Sequence, residues 1–141
     1  MAVRGSRFDS PADSLGFLLW RATLRWQRAV GEALAPFELT HVQFVLLAAL
    51  VWLDEPPTQR ELARTAATDE MMTSQVVRAL ESRGLLDRRT DPQDARRRRL
   101  QATRAGRDLA AQAIVAVEAV DDGFFRDPAA ALPVLRSLAD V

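Results

Sequence analysis

Residues 85–102 read LLDRRTDPQDARRRRLQA, a stretch that holds six arginines around one short turn. Two strand-length runs flank the turn-forming residues Thr90, Asp91 and Pro92, which predicts a β-hairpin with a longer loop. Gly84, directly before the hairpin, favours the end of a helix. A helix followed by a basic hairpin suits a protein that fills one DNA groove and touches the next. We therefore predict a mainly α fold with a small β-hairpin wing.

The second strand of the predicted hairpin alternates between two faces. Leu100 and Ala102 are expected to point inward, and Arg97 and Arg99 outward toward phosphate. By the same alternation Arg98 shares the inward face with Leu100, and the pattern assigns it no role.

The residues before the hairpin predict two helices joined by a short turn. Thr58 and Glu61 match a capping box that starts the first helix. Thr68 or Asp69 is placed to cap the second helix, which is expected to run to Arg83. Two short helices in this order are the helix-turn-helix pattern, whose second helix enters the major groove.

The second of these helices has an apolar side and a polar side. The apolar side is expected to face the core and consists of Met72, Val76, Val77 and Leu80. The polar side consists of Met71, Ser74, Gln75 and Arg78, with Thr73 at its edge. Gln pairs with adenine, Arg with guanine, and the methyl groups of Met or Thr can meet thymine. Any solvated helix carries similar residues, so the DNA interpretation depends on the basic hairpin that follows.

Four further helices are predicted, with starts at Ser10-Pro11, Thr40, Thr103 and Asp127-Pro128. The first is expected over residues 11–34, and Pro133 must lie in the first turn of the last helix or kink it. Positions 42–53 are apolar at eleven of twelve sites, so this helix needs cover on every side. The first and last two helices carry more apolar surface than one winged domain can cover, which indicates an interface.

Charge is unevenly distributed along a chain whose net charge is zero. Residues 60–107 hold twelve arginines against seven acidic side chains, and the remainder holds seven arginines against twelve acidic side chains. All nineteen basic residues are arginines, which suits phosphate and guanine contacts but also fits a genome rich in G and C. The basic middle segment favours a nucleic-acid partner.

Composition disfavours several other classes of function. With no cysteine, no tyrosine, one histidine and no glycine-rich phosphate loop, the chain predicts no enzyme, no metal site and no cofactor. The longest apolar run, Phe44 to Leu53, has ten residues, whereas a membrane-spanning helix needs about twenty. The first residues lack the apolar stretch of a signal peptide. We therefore expect a cytoplasmic protein without a membrane partner.

Four groups of residues resemble the MarR family of bacterial winged-helix transcription regulators. They are Gln59-x-Glu61-Leu62-Ala63, Leu80-Glu81-x-Arg83-Gly84-Leu85, Arg88 with Asp91-Pro92-x-Asp94-x-Arg96, and Thr103-x-x-Gly106. The motifs cover residues 58–107, and the flanking helices match the family's layout. The chain departs from the family pattern at Ala102, where Leu is usual, and at Met71-Met72, where polar residues are usual.

The resemblance implies an obligate homodimer whose terminal helices interleave and whose two winged domains straddle a pseudo-palindromic operator. Residues 1–36 and 103–141 would form the helical dimerisation region, and residues 37–102 the winged helix-turn-helix domain. The predicted function is a homodimeric, sequence-specific DNA-binding transcriptional regulator, in its simplest form a repressor relieved by a small ligand. The alternative is a winged-helix module that binds a protein and not double-stranded DNA.

Twelve residues are candidates for DNA contact. Arg96, at the edge of the hairpin loop, is placed to enter a minor groove, and Asp94 is expected to hold its side chain by a charge-assisted bond. The full set is Thr58, Gln59, Met71, Thr73, Ser74, Gln75, Arg78, Arg88, Asp94, Arg96, Arg97 and Arg99.

The resemblance also implies a small aromatic or anionic effector, bound between the dimer helices and the DNA-binding domain. The candidate ligand-binding residues are Trp20, Trp26, His41, Phe44 and Trp52. Aromatic residues at helical spacing equally fit core packing, and His41, at a helix start, is expected to be exposed. Both interpretations stay open at the level of sequence.

Overall fold

The computed structural model describes residues 3–141, which form six α-helices and one two-stranded antiparallel sheet. The helices are α1 (Leu15–Leu34), α2 (His41–Trp52), α3 (Gln59–Ala66), α4 (Glu70–Ser82), α5 (Arg104–Phe124) and α6 (Pro128–Ala139). The wing consists of β1 (Leu86–Thr90) and β2 (Arg98–Ala102). The predicted mainly α fold with a β-hairpin wing is confirmed. Residues 1 and 2 of the predicted dimerisation region lie outside the described residues.

Local capping signals in the sequence determine most of the helix starts. Thr40 and Thr58 each form the predicted capping box with the residue three positions later. Asp69, Thr103 and Asp127 each accept a hydrogen bond from a backbone amide in the first turn of α4, α5 and α6. A cap satisfies an amide that has no partner inside its own helix, so these short signals are decisive wherever they occur.

Two predictions about helix ends were wrong. Residues Pro11–Asp13 form a 3₁₀ turn, and α1 begins only at Leu15, because Ser14 and not Ser10 caps it. Pro133 lies in the second turn of α6 and not in the first. A proline there removes one intrahelical hydrogen bond, and the helix nevertheless extends to Ala139.

Helix α2 forms the centre of the core, as its uniformly apolar sequence predicts. Leu46, Leu47 and their neighbours are buried, and α2 packs against α1, α3, α4, α5 and β2. Leu62, Leu80 and Leu100 bring α3, α4 and β2 into the same cluster, each at most 1% exposed. Each buried leucine contributes roughly 1.5–3 kcal/mol before the entropy cost of folding.

The wing is attached to the segment that precedes α3. Strands β1 and β2 pair antiparallel along their whole length. The Leu100 amide donates to the Pro57 carbonyl at 2.8 Å, and Thr58 forms an isolated bridge with Arg99. This segment therefore acts as a third edge of the sheet and fixes the wing relative to α3.

The start of α5 packs tightly against the residue before β1. The Thr103 hydroxyl donates to the Gly84 carbonyl at 2.6 Å and accepts from the Gly106 amide at 3.1 Å. A Cβ atom on Gly106 would lie 1.9 Å from the Leu85 carbonyl oxygen. The Thr-x-x-Gly spacing is thus a physical requirement, since only glycine lets the helix approach this closely.

Two helical surfaces are uncovered in the single chain. The first half of α1 exposes Leu15, Phe17, Leu18, Leu19, Trp20 and Leu24. No residue of α6 is buried, and its exposed large apolar residues are Leu132, Val134, Leu135 and Leu138. Within residues 3–141, no single helix is long and apolar enough to cross a membrane. The pair Leu15–Phe37 and His41–Trp52 is apolar and long enough only when joined across a 75° bend.

Candidate nucleic-acid interface

Helix α4 presents an exposed face made of predicted contact residues. Met71 is 74% exposed, Gln75 and Arg78 are exposed, and Ser74 is half-buried. Nε of Arg78 donates to the Ser74 carbonyl at 3.3 Å, which holds the arginine stem along the helix. These four side chains are the ones on α4 that could meet base edges.

The prediction that Thr73 contacts DNA was wrong, because Thr73 is fully buried. Its hydroxyl donates to the Asp69 carbonyl at 2.7 Å and lies 2.7 Å from the Thr68 hydroxyl. The core-facing row runs through Thr73 and Val77, while Met72, predicted to be buried, is 41% exposed. A threonine whose hydroxyl is satisfied locally can be buried, so side-chain polarity predicted the wrong face.

Asp94 supports the backbone of the wing loop and not the Arg96 side chain, contrary to the prediction. Its Oδ1 accepts a 3.0 Å hydrogen bond from the Arg96 amide, and its Oδ2 lies 3.7 Å from Nε of Arg97. The Arg97 amide donates to the Asp94 carbonyl at 3.0 Å. Such bonds close a turn around an aspartate. Asp94 is therefore a positioning residue, and the Arg96 side chain is exposed.

Arg99 is bonded within the protein, although the strand alternation predicted that it faces phosphate. Its Nε donates to Oδ2 of Asp91 at 3.1 Å and its Nη1 to the Pro56 carbonyl at 2.8 Å. Oε2 of Glu61 lies 3.5 Å from the same Nη1, and only 26% of the arginine side chain is exposed. The segment before α3 covers the face that alternation had left open. Arg99 therefore joins the wing to the start of α3.

The Asp91 carboxylate is the buried end of this connection, with only 4% of its side chain exposed. Its Oδ1 accepts a 2.9 Å hydrogen bond from the Gln93 amide. That bond, helped by the positive charges of Arg99 and Arg97, lowers the pKa of Asp91 below its ordinary value, although burial acts in the opposite direction. The carboxylate is thus ionised at neutral pH and holds both the loop and Arg99.

A groove of about 490 Å³ separates the wing from α3. Its lining residues are Thr58, Gln59, Arg60, Glu61, Arg64, Arg88, Arg97 and Arg98. Arg98 was expected to point inward with Leu100 but is exposed, and its Nη1 donates to the Thr90 hydroxyl at 2.7 Å. Nε of Arg88 donates to Oε2 of Glu81 at 3.2 Å.

Arg60 and Arg64 of this groove were missed at the level of sequence. They lie one turn apart on the exposed side of α3, on the turns before and after buried Leu62 and Ala63. The i, i+4 spacing of two arginines on a predicted helix was the signal that could have identified them.

The five predicted ligand-binding residues do not form one site. Trp26 and His41 pack edge to face, with ring centroids 5.0 Å apart. Phe44 belongs to the core, and Trp20 and Trp52 are 64% and 66% exposed. His41 is half-buried, so the prediction that it is exposed was wrong. The structure thus brings together two of the five residues.

Asp121 of α5 completes the Trp26–His41 pair. Its Oδ1 accepts a 2.8 Å hydrogen bond from Nε1 of Trp26, which is 95 positions away, so no local motif could identify it. Burial lowers the pKa of His41 below its ordinary value, and the charge of Asp121 opposes this effect. An open cavity of about 380 Å³ adjoins the histidine and is lined by Gln27, His41, Val42, Val45, Ala66 and Thr68.

Comparison with known proteins agrees with this architecture. The model of the MarR family matches residues 39–97. An uncharacterized HTH-type transcriptional regulator of Bacillus subtilis (strain 168), YdcH, is 47% identical over 123 residues, which is 85% of this chain and 84% of the relative.

Solved structures of regulators share the fold over nearly the whole chain. CouR from Rhodococcus jostii RHA1, bound to p-coumaroyl-CoA, has a TM-score of 0.85 and 31% identity, covering 94% of this chain and 93% of CouR. A structure of the transcriptional repressor CouR on a 23-mer DNA duplex has a TM-score of 0.81 and 28% identity, covering 96% of this chain and 99% of that one.

BpsR of Bordetella bronchiseptica, whose DNA binding is regulated by 6-hydroxynicotinic acid, has a TM-score of 0.85 at 25% identity, covering 97% of this chain and 99% of BpsR. The fold, the capped helix-turn-helix, the arginine-rich wing and these similarities lead to one conclusion. The chain belongs to the MarR family of transcriptional regulators.

Proposed function

We propose that this regulator is a homodimeric, sequence-specific DNA-binding repressor. The observation that carries the proposal is the exposed face of α4, with Met71, Gln75 and Arg78, followed directly by a wing whose tip exposes Arg96 and Arg97. These are residue types that hydrogen-bond base edges and phosphates. The similarity to CouR, which has been seen on a DNA duplex, supports the same use of the two elements.

The set of proposed DNA contacts follows the structure and not the sequence alone. Of the twelve candidates, Thr73 is removed because it is buried, and Asp94 and Arg99 become positioning residues. The remaining contacts are Thr58, Gln59, Met71, Ser74, Gln75, Arg78, Arg88, Arg96 and Arg97. Residues on α4 would face the major groove, and Arg96 the adjacent minor groove.

Two copies of the chain would be needed to cover the uncovered apolar surfaces. The proposed dimerisation region, residues 1–36 and 103–141, contains the exposed face of α1 and all of α6. Residues 37–102 would form the DNA-binding domain. Apolar patches of this kind rarely stay in contact with water in a stable protein. A two-fold dimer would bind half-sites about one helical turn of DNA apart.

The cavity beside His41 is the proposed place for an aromatic or anionic effector. It lies where α1 and α2 meet the turn before α4, so a molecule there would touch both proposed domains. The ligand of CouR, p-coumaroyl-CoA, is both aromatic and anionic, and that of BpsR is a hydroxylated aromatic acid. Trp26 and His41 would contact the ligand. We also propose that the protein acts in the cytoplasm, without catalytic activity or a cofactor.

The test is selection of bound duplexes from a random pool, followed by titration of the best duplex at several salt concentrations. We expect a pseudo-palindromic site, and an affinity that falls by roughly 10³–10⁵ between 50 and 200 mM salt for 6–10 phosphate contacts. Recovery of no enriched duplex, or binding without a salt dependence, would favour the winged-helix module that binds protein.

A further inference from the structure

We infer that the groove between α3 and the wing binds the phosphodiester backbone of the DNA strand that runs between the major and minor grooves. The arginines that act there are Arg64, Arg97 and Arg98. The inference rests on the proposed function and assigns the strand contact to residues of which two, Arg64 and Arg98, were not among the predicted DNA contacts.

The first argument is the charge of the groove. Five of its eight lining residues are arginines and one, Glu61, is acidic. Oε2 of Glu61 already accepts from the Thr58 amide at 2.9 Å and lies 3.5 Å from Nη1 of Arg99. The single negative charge is therefore used inside the protein, and the groove as a whole attracts an anion.

The second argument is which arginines are free to act. Arg60 pairs with Glu70 at 3.2 Å and Arg88 with Glu81 at 3.2 Å. Within the described part of the chain, Arg64 and Arg98 take part in no ion pair, and the Arg97 pair is the longest at 3.7 Å. A cluster of unpaired like charges repels itself and does not stabilise the fold. Its retention on one concave surface is explained by an external anion.

The third argument is position. A protein that places a helix in the major groove and a wing in the neighbouring minor groove must straddle the phosphate strand that separates them. Here the surface between those elements is this groove, since the Arg60–Glu70 pair ties α3 to the start of α4 and Arg98 lies in the wing. A strand that follows this path would pass Arg64 on one side and Arg97 and Arg98 on the other.

The groove should hold phosphate without reading sequence. Guanidinium groups bind phosphate oxygens bidentately, and these oxygens are identical for all four nucleotides. Arg98 also donates to the Thr90 hydroxyl at 2.7 Å, which would orient the side chain without neutralising it. The groove therefore contributes affinity and salt dependence, while Gln75 and Arg78 on α4 contribute discrimination between bases.

The experiment compares Arg98→Ala and Arg64→Ala with Arg104→Ala, an exposed arginine at the start of α5 that does not line the groove. Affinity for the selected operator and for a scrambled duplex is measured from 50 to 300 mM salt. Each groove variant should lose about 0.9 in the slope of log affinity against log salt per phosphate contact, or about 1.8 for a dimer. Arg104→Ala and the charge-preserving Arg98→Lys should keep the original slope.

The specificity ratio separates phosphate contact from base contact. In both groove variants the operator and the scrambled duplex should weaken by the same factor, so their ratio stays constant. A changed ratio, or a slope equal to that of the unaltered protein, overturns the inference. Inorganic phosphate alone provides a further arm: phosphate binding that Arg98→Ala abolishes while the DNA slope is unchanged would identify an adventitious ion site only. Failure of the unaltered protein to bind any selected duplex would instead contradict the proposed function.

Discussion

Arg96 and Arg99 lie three positions apart in the same arginine run, yet their surroundings differ completely. Arg96 is exposed at the wing loop, whereas Arg99 bonds to Asp91 and Pro56 and is 26% exposed. Sequence could predict that the run is basic and that Leu100 is buried. It could not predict which arginine is bonded internally, because the partner segment lies about forty positions away in the chain.

This difference predicts opposite behaviour for two equal substitutions. Arg96→Ala should weaken operator binding by about 1–2 kcal/mol, because one charged contact is lost, and leave the thermal midpoint nearly unchanged. Arg99→Ala should lower the thermal midpoint by on the order of 3 °C, because the wing loses its link to α3. Calorimetry and DNA titration on the same preparations measure both effects. A large drop in the midpoint for Arg96→Ala would make Arg96 structural.

At the scale of elements, sequence was most informative where one short signal specifies one backbone geometry. The capping residues Thr40, Thr58, Asp69 and Thr103 were predicted correctly because each satisfies amides within three residues of itself. Faces of helices were predicted less well. The apolar row of α4 was placed one residue away from its true position because Thr73 is polar yet buried, with local partners for its hydroxyl.

The junction of α5 with the wing gives a prediction at this scale. Gly106→Ala would put a Cβ atom into the Leu85 carbonyl, and the backbone must move because neither atom can rotate away. We expect the free energy of unfolding to fall by about 3 kcal/mol, measured by urea denaturation. Gly123→Ala in the same helix is the matched control, since a Cβ atom there would meet nothing within 4 Å. Equal stability of the two variants would contradict the packing argument.

At the scale of the whole molecule, the single chain is not a complete folding unit. The winged region has a continuous core around α2, but the first half of α1 and all of α6 expose leucine, valine and aromatic side chains. Sequence indicated this excess of apolar surface from helical spacing alone. It could not specify which residues pair across the interface, because that depends on how a second copy is oriented.

The proposed dimer can be tested by charge introduced into α6. Leu135→Asp combined with Leu138→Asp would place two carboxylates in an apolar interface, and we expect a monomer by sedimentation at micromolar concentration. Since two linked half-sites gain on the order of 10²–10⁴ in avidity, operator affinity should fall by about that factor. Trp52→Asp is the matched control, because Trp52 is 66% exposed and Leu138 65%, but Trp52 belongs to α2 and not to the proposed dimerisation region. A double variant that stays dimeric would place the interface elsewhere and contradict the assignment of residues 103–141 to dimerisation.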